Sequence, residues 1–539
     1  MAVTYRLTGA VMAHPRRRRQ AEALSRRLPV EFQNVVTDPD PSGPPGGYRT
    51  SRLAWSLVPA GATHHLLLHD DMEISKTLLE RAERAVSALP HAALGLFAFW
   101  SSRNGAAVRQ GALAGARWVS AVNEWSPTNA IILPREAALG YVDYLEGRDL
   151  SWPDDVLMHH YLRLVGVPTY LAVPALAEHD DLPSLVDNDY QGLRRAACFF
   201  EADPAQGTPE TSLDLDAVPF FVSFAENDGA ARTAVRLPGD GPARWNHVGC
   251  EEYLDRFGIT PAVPSLPSEP GPEPGLAAPV WLTAFTMGVV HRTTGRDLAD
   301  DDVTAGALAT LVPGGLCHRL GASRAAAVSE ALMPVLRHGL AAGLETAPRR
   351  RRSWSLRVRL VGGEPWVREY VADRLDNLGF AIVGDGADRD VHLDGIGPTD
   401  ATVLRLGDVY GPGMPDDGLL GRMVRLASLS RTVEVDDSDR PVALVHVKDV
   451  ADAAALAVRL APGTFSVAGP VIGVGDLAET VFRVVRPVEL VGTPGAAAPA
   501  ESGEPVPGWA PSVPLDHGIH GYSQWLAHEV DFSLRDSLA

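Results

Sequence analysis

The sequence predicts an α/β protein with several domains, and three observations support this prediction. Strand-like and helix-like segments alternate through residues 1 to 212, a pattern that produces a largely parallel sheet. Residues 280 to 347 are rich in alanine and carry apolar side chains at helical spacing, which predicts a helical middle domain. A second α/β pattern covers residues 354 to 492. The length of 539 residues also fits three or four domains of roughly 100 to 200 residues each.

Composition narrows the class of partner and the compartment. The chain has 48 basic and 67 acidic residues, a net charge of −19, which argues against nucleic acid or an anionic membrane as the main partner. The three cysteines, Cys198, Cys250 and Cys317, lie too far apart to form a metal-binding motif and fit buried thiols in a reducing cytoplasm. No apolar run has the length of a membrane span. We therefore expect a soluble, cytoplasmic protein.

The first domain is predicted over residues 1 to 212, with an extension over residues 213 to 259. Its first half is expected to alternate between strands and helices. The predicted strands are Thr4 to Met12, Val30 to Val36, Leu66 to Leu68 and Ala93 to Trp100, and the predicted helices are Arg16 to Leu28, Tyr48 to Leu57 and Lys76 to Leu89.

The strongest candidate site follows the strand at Leu66 to Leu68. This strand leads directly into Asp70, Asp71 and then Glu73. Ligands of open α/β sheets bind at the carboxyl ends of strands, and adjacent carboxylates suit Mg²⁺ or Mn²⁺ held together with the phosphates of a substrate. A second interpretation stays open, because Asp70 and Asp71 could instead cap a turn before the next helix.

Basic and imidazole side chains near this strand have two interpretations each. The run from Arg16 to Arg19 could hold the phosphates of a nucleotide, with Arg16 as the candidate, or it could be a solvated helix face. His64 and His65 lie on the predicted strand, where we expect them to pack in the core.

A second group of candidates lies further along the chain. Pro153 precedes Asp154 and Asp155 at the start of a predicted helix, where an acid either caps the helix or acts as a general base. A later strand ends at His179, whose imidazole could complete a metal site.

These motifs, in this order, resemble the nucleotide-sugar glycosyltransferases of the GT-A fold over roughly residues 1 to 200. The resemblance implies that Asp71 binds a metal, that Asp70 contacts ribose or metal, and that His179 is a late ligand of metal or phosphate. It also implies that Asp154 or Asp155 deprotonates an acceptor hydroxyl if the enzyme inverts. The acidic motif here reads Asp-Asp-Met where that family has Asp-x-Asp.

The middle of the chain carries no motif that we can connect with chemistry. Residues 260 to 279 are rich in proline and predict a linker, which separates the first domain from the helical domain over residues 280 to 347.

The last α/β segment has its own pattern. A strand over Leu356 to Val361 is followed by Gly362 and Gly363 and a helix. The segments Arg405 to Gly413 and Val445 to Asp452 resemble the extended short-chain dehydrogenase family of sugar-nucleotide epimerases and dehydratases.

This segment also differs from that family in its catalytic and cofactor motifs. The glycines lead into Glu364 and Pro365 and do not form the G-x-G-x-x-G loop that lets a backbone approach a pyrophosphate. The Tyr-x-x-x-Lys pair is missing from residues 354 to 500. We therefore predict a truncated Rossmann-like domain over residues 354 to 492 that does not use NAD, followed by a Pro/Gly-rich tail over residues 493 to 539 with a terminal helix.

The sequence thus favours a metal-dependent glycosyltransferase that uses Mn²⁺ or Mg²⁺, a nucleotide-sugar donor and an unknown acceptor, in a form compatible with a homo-oligomer. A non-catalytic scaffold built from degenerate enzyme domains is the alternative. A sugar-nucleotide epimerase or reductase is disfavoured by the missing Tyr and Lys.

Overall fold

The computed structural model describes residues 5–43, 46–122, 124–146, 148, 152–180, 182–183, 185, 192–222, 230–237, 243–262, 275–348, 356–429, 432–435, 438–486, 490–492 and 504–530. The chain forms two compact units. The first consists of residues 1–253, 261–348 and 531–539, and the second of residues 254–260 and 349–530. The segment predicted to be helical, residues 280 to 347, falls within the first unit. Most of the predicted linker, residues 263 to 274, and the two ends of the predicted tail, residues 493 to 503 and 531 to 539, lie outside the described residues.

The first unit is built on an eight-stranded mixed sheet with the strand order β10-β6-β8-β5-β7-β3-β1-β2. Strand β1 pairs in parallel with both β2 and β3, and β7 runs antiparallel to both β3 and β5. A separate two-stranded ribbon joins β4 to β9. The strands are β1 (Leu7–Ala13), β2 (Asn34–Thr37), β3 (His64–His69), β4 (Met72–Ile74), β5 (Ala93–Gly95), β6 (Trp118–Ser120), β7 (Ala130–Pro134), β8 (Thr169–Ala172), β9 (Ala177–His179) and β10 (Ser212–Leu213).

Helices pack around this sheet and continue beyond it. Leu66, Leu67 and Leu68 are fully buried, as expected for a strand covered on both faces. The helices are α1 (Arg18–Ser25), α2 (Tyr48–Ser56), α3 (Leu78–Ala88), α4 (Arg103–Leu113), α5 (Arg135–Tyr144), α6 (Asp154–Leu164), α7 (Cys250–Asp255), α8 (Ala277–Thr294), α9 (Asp302–Ala309), α10 (Leu311–Leu316) and α11 (Ala322–Glu345).

Two smaller structures complete the first unit. An antiparallel sheet consists of β11 (Ala217–Val222), β12 (Ala230–Leu237) and β13 (Arg244–Gly249). Helices α8 and α11 pack closely because small residues line their contact. A side chain at Gly343 would clash with the carbonyl oxygen of Phe285, and one at Gly288 would clash with the backbone of α11 at Leu340.

Two predicted strands differ from the structure. The strand predicted over Ala93 to Trp100 extends only over Ala93–Gly95. The segment Val30–Phe32, expected to begin the second strand, forms a 3₁₀ turn after Pro29, and β2 begins only at Asn34. The fixed φ of proline favours such a turn at its start.

The second unit contains a parallel five-stranded sheet with the order β15-β14-β16-β17-β21. Its strands are β14 (Arg357–Val361), β15 (Ala381–Ile382), β16 (Arg389–His392), β17 (Thr402–Leu406), β18 (Asp408–Tyr410), β19 (Val433–Val435), β20 (Pro441–His446), β21 (Gly463–Val467), β22 (Val471–Gly473) and β23 (Leu490–Gly492). Its helices are α12 (Pro365–Asn377), α13 (Leu419–Ser428), α14 (Val447–Ala457), α15 (Val474–Val484) and α16 (Leu515–Glu529).

The prediction of an α/β protein is confirmed, with parallel strand pairs in the main sheet of each unit. In the described part of the chain, no helix combines the length and the apolar character that crossing a bilayer requires.

Candidate functional site

The candidate site lies at the carboxyl ends of β1 and β3. These two strands pair in parallel with Met12 opposite His69, so the residues that follow them leave the sheet side by side. Asp70 comes directly after β3, and its Oδ2 accepts a hydrogen bond of 2.9 Å from the backbone N–H of His14, which comes directly after β1. The strand-end position that the sequence predicted for Asp70 is the one it has.

A buried arginine joins the two aspartates. Nη1 of Arg17 lies 2.6 Å from Oδ2 of Asp71 and 3.4 Å from Oδ1 of Asp70. Nη2 of Arg17 donates a hydrogen bond to the carbonyl oxygen of Pro183. The side chain of Arg17 is only 10% exposed, so its guanidinium is held in place by these contacts inside the cluster.

The sequence selected Arg16 as the candidate for holding phosphates, whereas Arg17 is the member of the basic run that contacts the aspartates. Arg16 is exposed, and its backbone N–H donates to Nδ1 of His14. The residues Pro15–Arg17 form a 3₁₀ turn that begins at a proline and directs Arg17 inward. Proline directly after His14 was the available signal, since proline favours the first position of such a turn.

His179 joins the cluster through the β4–β9 ribbon. The register places Met72 opposite His179, and Nε2 of His179 lies 3.5 Å from Oδ2 of Asp71. The backbone N–H of Asp180 donates to the carbonyl oxygen of Asp71 at 2.7 Å. The same register places Glu73 opposite Glu178 on the ribbon, where Glu73 is exposed and takes no part in the cluster.

His69 is a member of this cluster that the sequence analysis did not select. It is the last residue of β3, and its Nε2 is buried with no hydrogen-bond partner in the described part of the chain. Oδ1 of Asp71 is buried and unpartnered in the same way. The sequence signal that could have identified His69 is its position at the end of a strand, directly before two acids.

Burial and neighbouring charges shift the pKa values of Asp70 and Asp71 in opposite directions. Burial, reinforced by the charge of Asp71, raises the pKa of Asp70 to about 6. Burial also opposes ionisation of Asp71, but interactions with the two histidines and Arg17 outweigh it and hold the pKa of Asp71 below its usual value. Burial lowers the pKa of His69.

Asp154 and Asp155 open helix α6, as the sequence predicted. Oδ1 of Asp154 accepts a hydrogen bond of 2.8 Å from the hydroxyl of Tyr141, and burial raises the pKa of Asp154 to about 6. Oδ1 of Asp155 accepts a hydrogen bond of 2.9 Å from the backbone N–H of Val156. Burial, together with the charge of Asp154, raises the pKa of Asp155 to about 7. The position of Tyr141 on α5 gave no sequence signal for this contact.

Asp154 lies at the same edge of the sheet as the first cluster. A methyl group placed on Gly47 would be 4.0 Å from Cβ of Asp154 and 3.6 Å from Cε of Met12, the next-to-last residue of β1. Asp154 and Met12 therefore lie beside the same glycine, and Asp70 contacts His14, the residue directly after β1.

Asp38 is a further acidic residue at this edge that the sequence analysis did not select. It follows β2, and its backbone N–H donates to the carbonyl oxygen of Ala13 at 3.0 Å. Arg49 donates two hydrogen bonds to its carboxylate, at 3.2 and 3.1 Å. Burial alone would raise the pKa of Asp38, but the contact with Arg49 outweighs it and lowers the pKa.

The metal expected at Asp71 and His179 finds no support in this geometry. No group of three or more His, Cys, Asp or Glu residues in the described ranges is arranged to hold a metal ion. The physical reason at this site is Arg17, whose guanidinium already occupies the cation position against Oδ2 of Asp71.

The glycine loop of the second unit is crowded. Gly362 and Gly363 have φ values of 69° and 70°, which glycine adopts without strain. Nη1 of Arg368 donates to the carbonyl oxygens of both glycines, at 3.1 and 3.4 Å. The carboxylate of Asp394, after β16, lies against Gly362 where a side chain would begin. An anionic group therefore lies beside this loop.

Comparisons with known proteins complete this description. No family model and no curated protein matches the chain. Among solved structures, the chain is similar to a UDP-glucose 4-epimerase from Thermotoga maritima complexed with UDP-glucose, at 13% identity and a TM-score of 0.26, with 32% of this chain and 98% of that chain covered. It is also similar to MoeE5 in complex with UDP-glucose and NAD, at 14% identity and a TM-score of 0.27, with 34% and 99% covered.

A third similar structure is RMD from Pseudomonas aeruginosa complexed with NADPH, at 12% identity and a TM-score of 0.27, with 32% of this chain and 99% of that chain covered. Likenesses at TM-scores of this size assign neither an activity nor a ligand to the present chain.

Proposed function

We propose that the first unit is a glycosyltransferase of GT-A-like fold that transfers a sugar from a nucleotide-sugar donor to an acceptor hydroxyl. The observation that carries the proposal is the meeting of buried charged groups at one sheet edge. Asp70 contacts the backbone directly after β1 and lies with Asp71 around Arg17, and Asp154 lies, like Met12 of β1, beside Gly47. Buried charges of this kind are costly to a fold and cluster at functional sites.

The proposed reaction is a displacement at the anomeric carbon of the donor sugar. The bond from the acceptor oxygen to that carbon forms while the bond from the carbon to the diphosphate oxygen breaks. The electron pair of the broken bond stays with the departing nucleoside diphosphate. The acceptor proton passes to a carboxylate of the enzyme.

Asp155 fits the role of base best, with Asp154 as the alternative. A base works most effectively when its pKa lies near the working pH, and the pKa of Asp155 is raised to about 7. The carboxylate of Asp154 already accepts a hydrogen bond from Tyr141, which stabilises its ionised form. Asp38, at the end of β2, is placed to accept hydroxyl groups of the nucleotide, because its carboxylate lies at the same sheet edge.

No step of this mechanism passes through a metal ion. The sequence led us to expect Mn²⁺ or Mg²⁺, but among the described residues no group of three or more His, Cys, Asp or Glu could hold such an ion, and Arg17 contacts Oδ2 of Asp71.

The test is release of nucleoside diphosphate from a panel of UDP- and GDP-sugars, first with water and then with simple sugars as acceptor. The wild type should release product from at least one donor. Asp155→Asn should lower kcat by about 100-fold or more, the range that general base catalysis contributes.

Glu73→Gln is the matched control, because Glu73 is an exposed acid on the neighbouring ribbon. It should keep wild-type rates. Equal activity of Asp155→Asn and Asp154→Asn with the wild type would remove both acids from the reaction and contradict the proposed mechanism.

A non-catalytic scaffold is the second candidate, and the second unit favours it. The glycine loop with Asp394 beside it is poorly suited to a pyrophosphate, and we propose that this unit binds a partner or supports assembly and does not bind NAD. Absence of nucleotide binding to the full-length chain would support the scaffold. A calorimetric signal for NAD would instead support a cofactor-binding second unit.

A further inference from the structure

The cation position beside Asp71 is held by a side chain. Arg17 contacts Asp71 at 2.6 Å and Asp70 at 3.4 Å, and it is buried with them. Mg²⁺ requires a near-octahedral set of oxygen ligands at about 2.0 to 2.1 Å and keeps several waters. A metal ion bound at Oδ2 of Asp71 would lie against the positive charge of Arg17, which already contacts this oxygen at 2.6 Å.

His69 and Asp71 each have a buried atom with no hydrogen-bond partner among the described residues. The two atoms require different kinds of partner. Nε2 of His69 can donate when it carries a proton, whereas Oδ1 of the ionised Asp71 only accepts. Buried polar atoms are almost always satisfied, so a ligand that offers both acceptors and donors is the natural partner here. Phosphate oxygens provide the acceptors, and sugar hydroxyls provide the donors.

We propose that this cluster binds the diphosphate of its nucleotide ligand through Arg17 and His69, without a divalent metal. The inference rests on the proposed function for the identity of the ligand. A guanidinium is a planar fork of donors that matches phosphate oxygens well. Its contacts with the two aspartates and Pro183 fix its orientation. Arg17 would then stabilise the negative charge that develops on the leaving diphosphate, the task that a metal performs elsewhere.

The first experiment is calorimetric titration of UDP, GDP and inorganic pyrophosphate into the full-length wild type, in EDTA and separately in Mn²⁺. We expect binding of a nucleoside diphosphate in EDTA, with an affinity that Mn²⁺ changes by less than about threefold, a free energy of under about 0.7 kcal/mol. Binding that disappears in EDTA and returns with Mn²⁺ would overturn the metal-free site and leave the proposed function standing.

The second experiment uses variants of Arg17. Arg17→Met keeps the length of the side chain and removes its charge, so nucleotide affinity in EDTA should fall by about 30-fold or more, as for loss of one partner of a buried charge pair. Arg17→Lys should keep part of the affinity. Arg19→Met, at an exposed position of the same basic run, is the control and should bind like the wild type.

The variants and the probes separate the two proposals. Arg17→Met frees the carboxylates, and we expect it to acquire Mn²⁺-dependent nucleotide binding. Wild-type affinity of Arg17→Met in EDTA would refute the inference. Binding of pyrophosphate but of neither nucleotide would keep the anion site and defeat the nucleotide-sugar proposal, whereas no binding of any probe would defeat both. If Arg17→Met fails to fold, the EDTA titration of the wild type decides the question.

Discussion

At the scale of single residues, Asp155 should make the fold less stable at neutral pH. Burial raises the pKa of Asp155 from an ordinary value of 3.8 to about 7, so the folded protein favours the protonated form. The stabilisation is complete below pH 4 and is lost as the pH rises through about 7. A residue kept in spite of this cost is typical of a functional site.

The loss of stability with rising pH gives a prediction that can be tested without measuring any activity. Asn cannot ionise, so Asp155→Asn should be more stable than the wild type above pH 7, and the difference should shrink towards pH 4. Urea unfolding at several pH values measures it. A stability difference between Asp155→Asn and the wild type that stays constant from pH 4 to above pH 7 would contradict the raised pKa.

The same pKa gives a prediction for catalysis. If Asp155 is the base, kcat/KM should rise with pH through about 7, because only the ionised carboxylate accepts the acceptor proton. The measurement is initial rate against pH at low donor concentration. A rate that falls over this interval would indicate that the protonated acid is the active form.

The sequence predicted the site residues that lie at strand ends. It did not predict Arg17, which lies in a turn, or Tyr141, which lies on a helix. Asp70 and Asp71 could be placed because a run of leucines must be a buried strand and its end must lie at the sheet edge. Arg17 could not be separated from Arg16 because the choice depends on the phase of one 3₁₀ turn. Tyr141 could not be found because its contact with Asp154 depends on how α5 packs against α6.

At the scale of elements, a buried ionic network joins α3 to the segment before β10. Arg81 of α3 has a fully buried side chain and lies 3.2 Å from Glu210 and 3.3 Å from Asp203. Nε1 of Trp118 donates to Glu210 at 2.7 Å. Because these groups are buried away from water, their charges and hydrogen-bonding atoms are compensated by other groups of the protein.

Loss of one carboxylate from this network should be costly. Glu210→Ala leaves Arg81 buried with less compensating charge, so we expect a loss of about 3 to 5 kcal/mol in the free energy of unfolding. Glu22→Ala is the matched control, because its pairing with Arg18 on α1 is exposed and its loss should have a much smaller effect on stability. Equal effects of the two substitutions in urea unfolding would show that burial does not strengthen the network.

At the scale of the whole molecule, the two units have separate hydrophobic cores. Leu66 and Leu94 belong to the core of the first unit, and Val391 and Leu404 belong to the core of the second. A core is the cooperative part of a domain, so each unit can have its own unfolding transition. The alternation of strands and helices predicted both sheets, but it could not show that helices α8 to α11 belong to the first unit, because that depends on contacts distant in sequence.

Separate cores predict separate responses in calorimetry. A nucleoside diphosphate at about 100 times its dissociation constant should stabilise only the first unit, by about 2.7 kcal/mol, and raise one of two transitions. Leu404→Ala removes a fully buried side chain of β17 and should lower the other transition through a loss of about 2 to 5 kcal/mol. If the ligand and the substitution shift one and the same transition, the units unfold together, and the nucleotide site would then be coupled to the stability of the second unit.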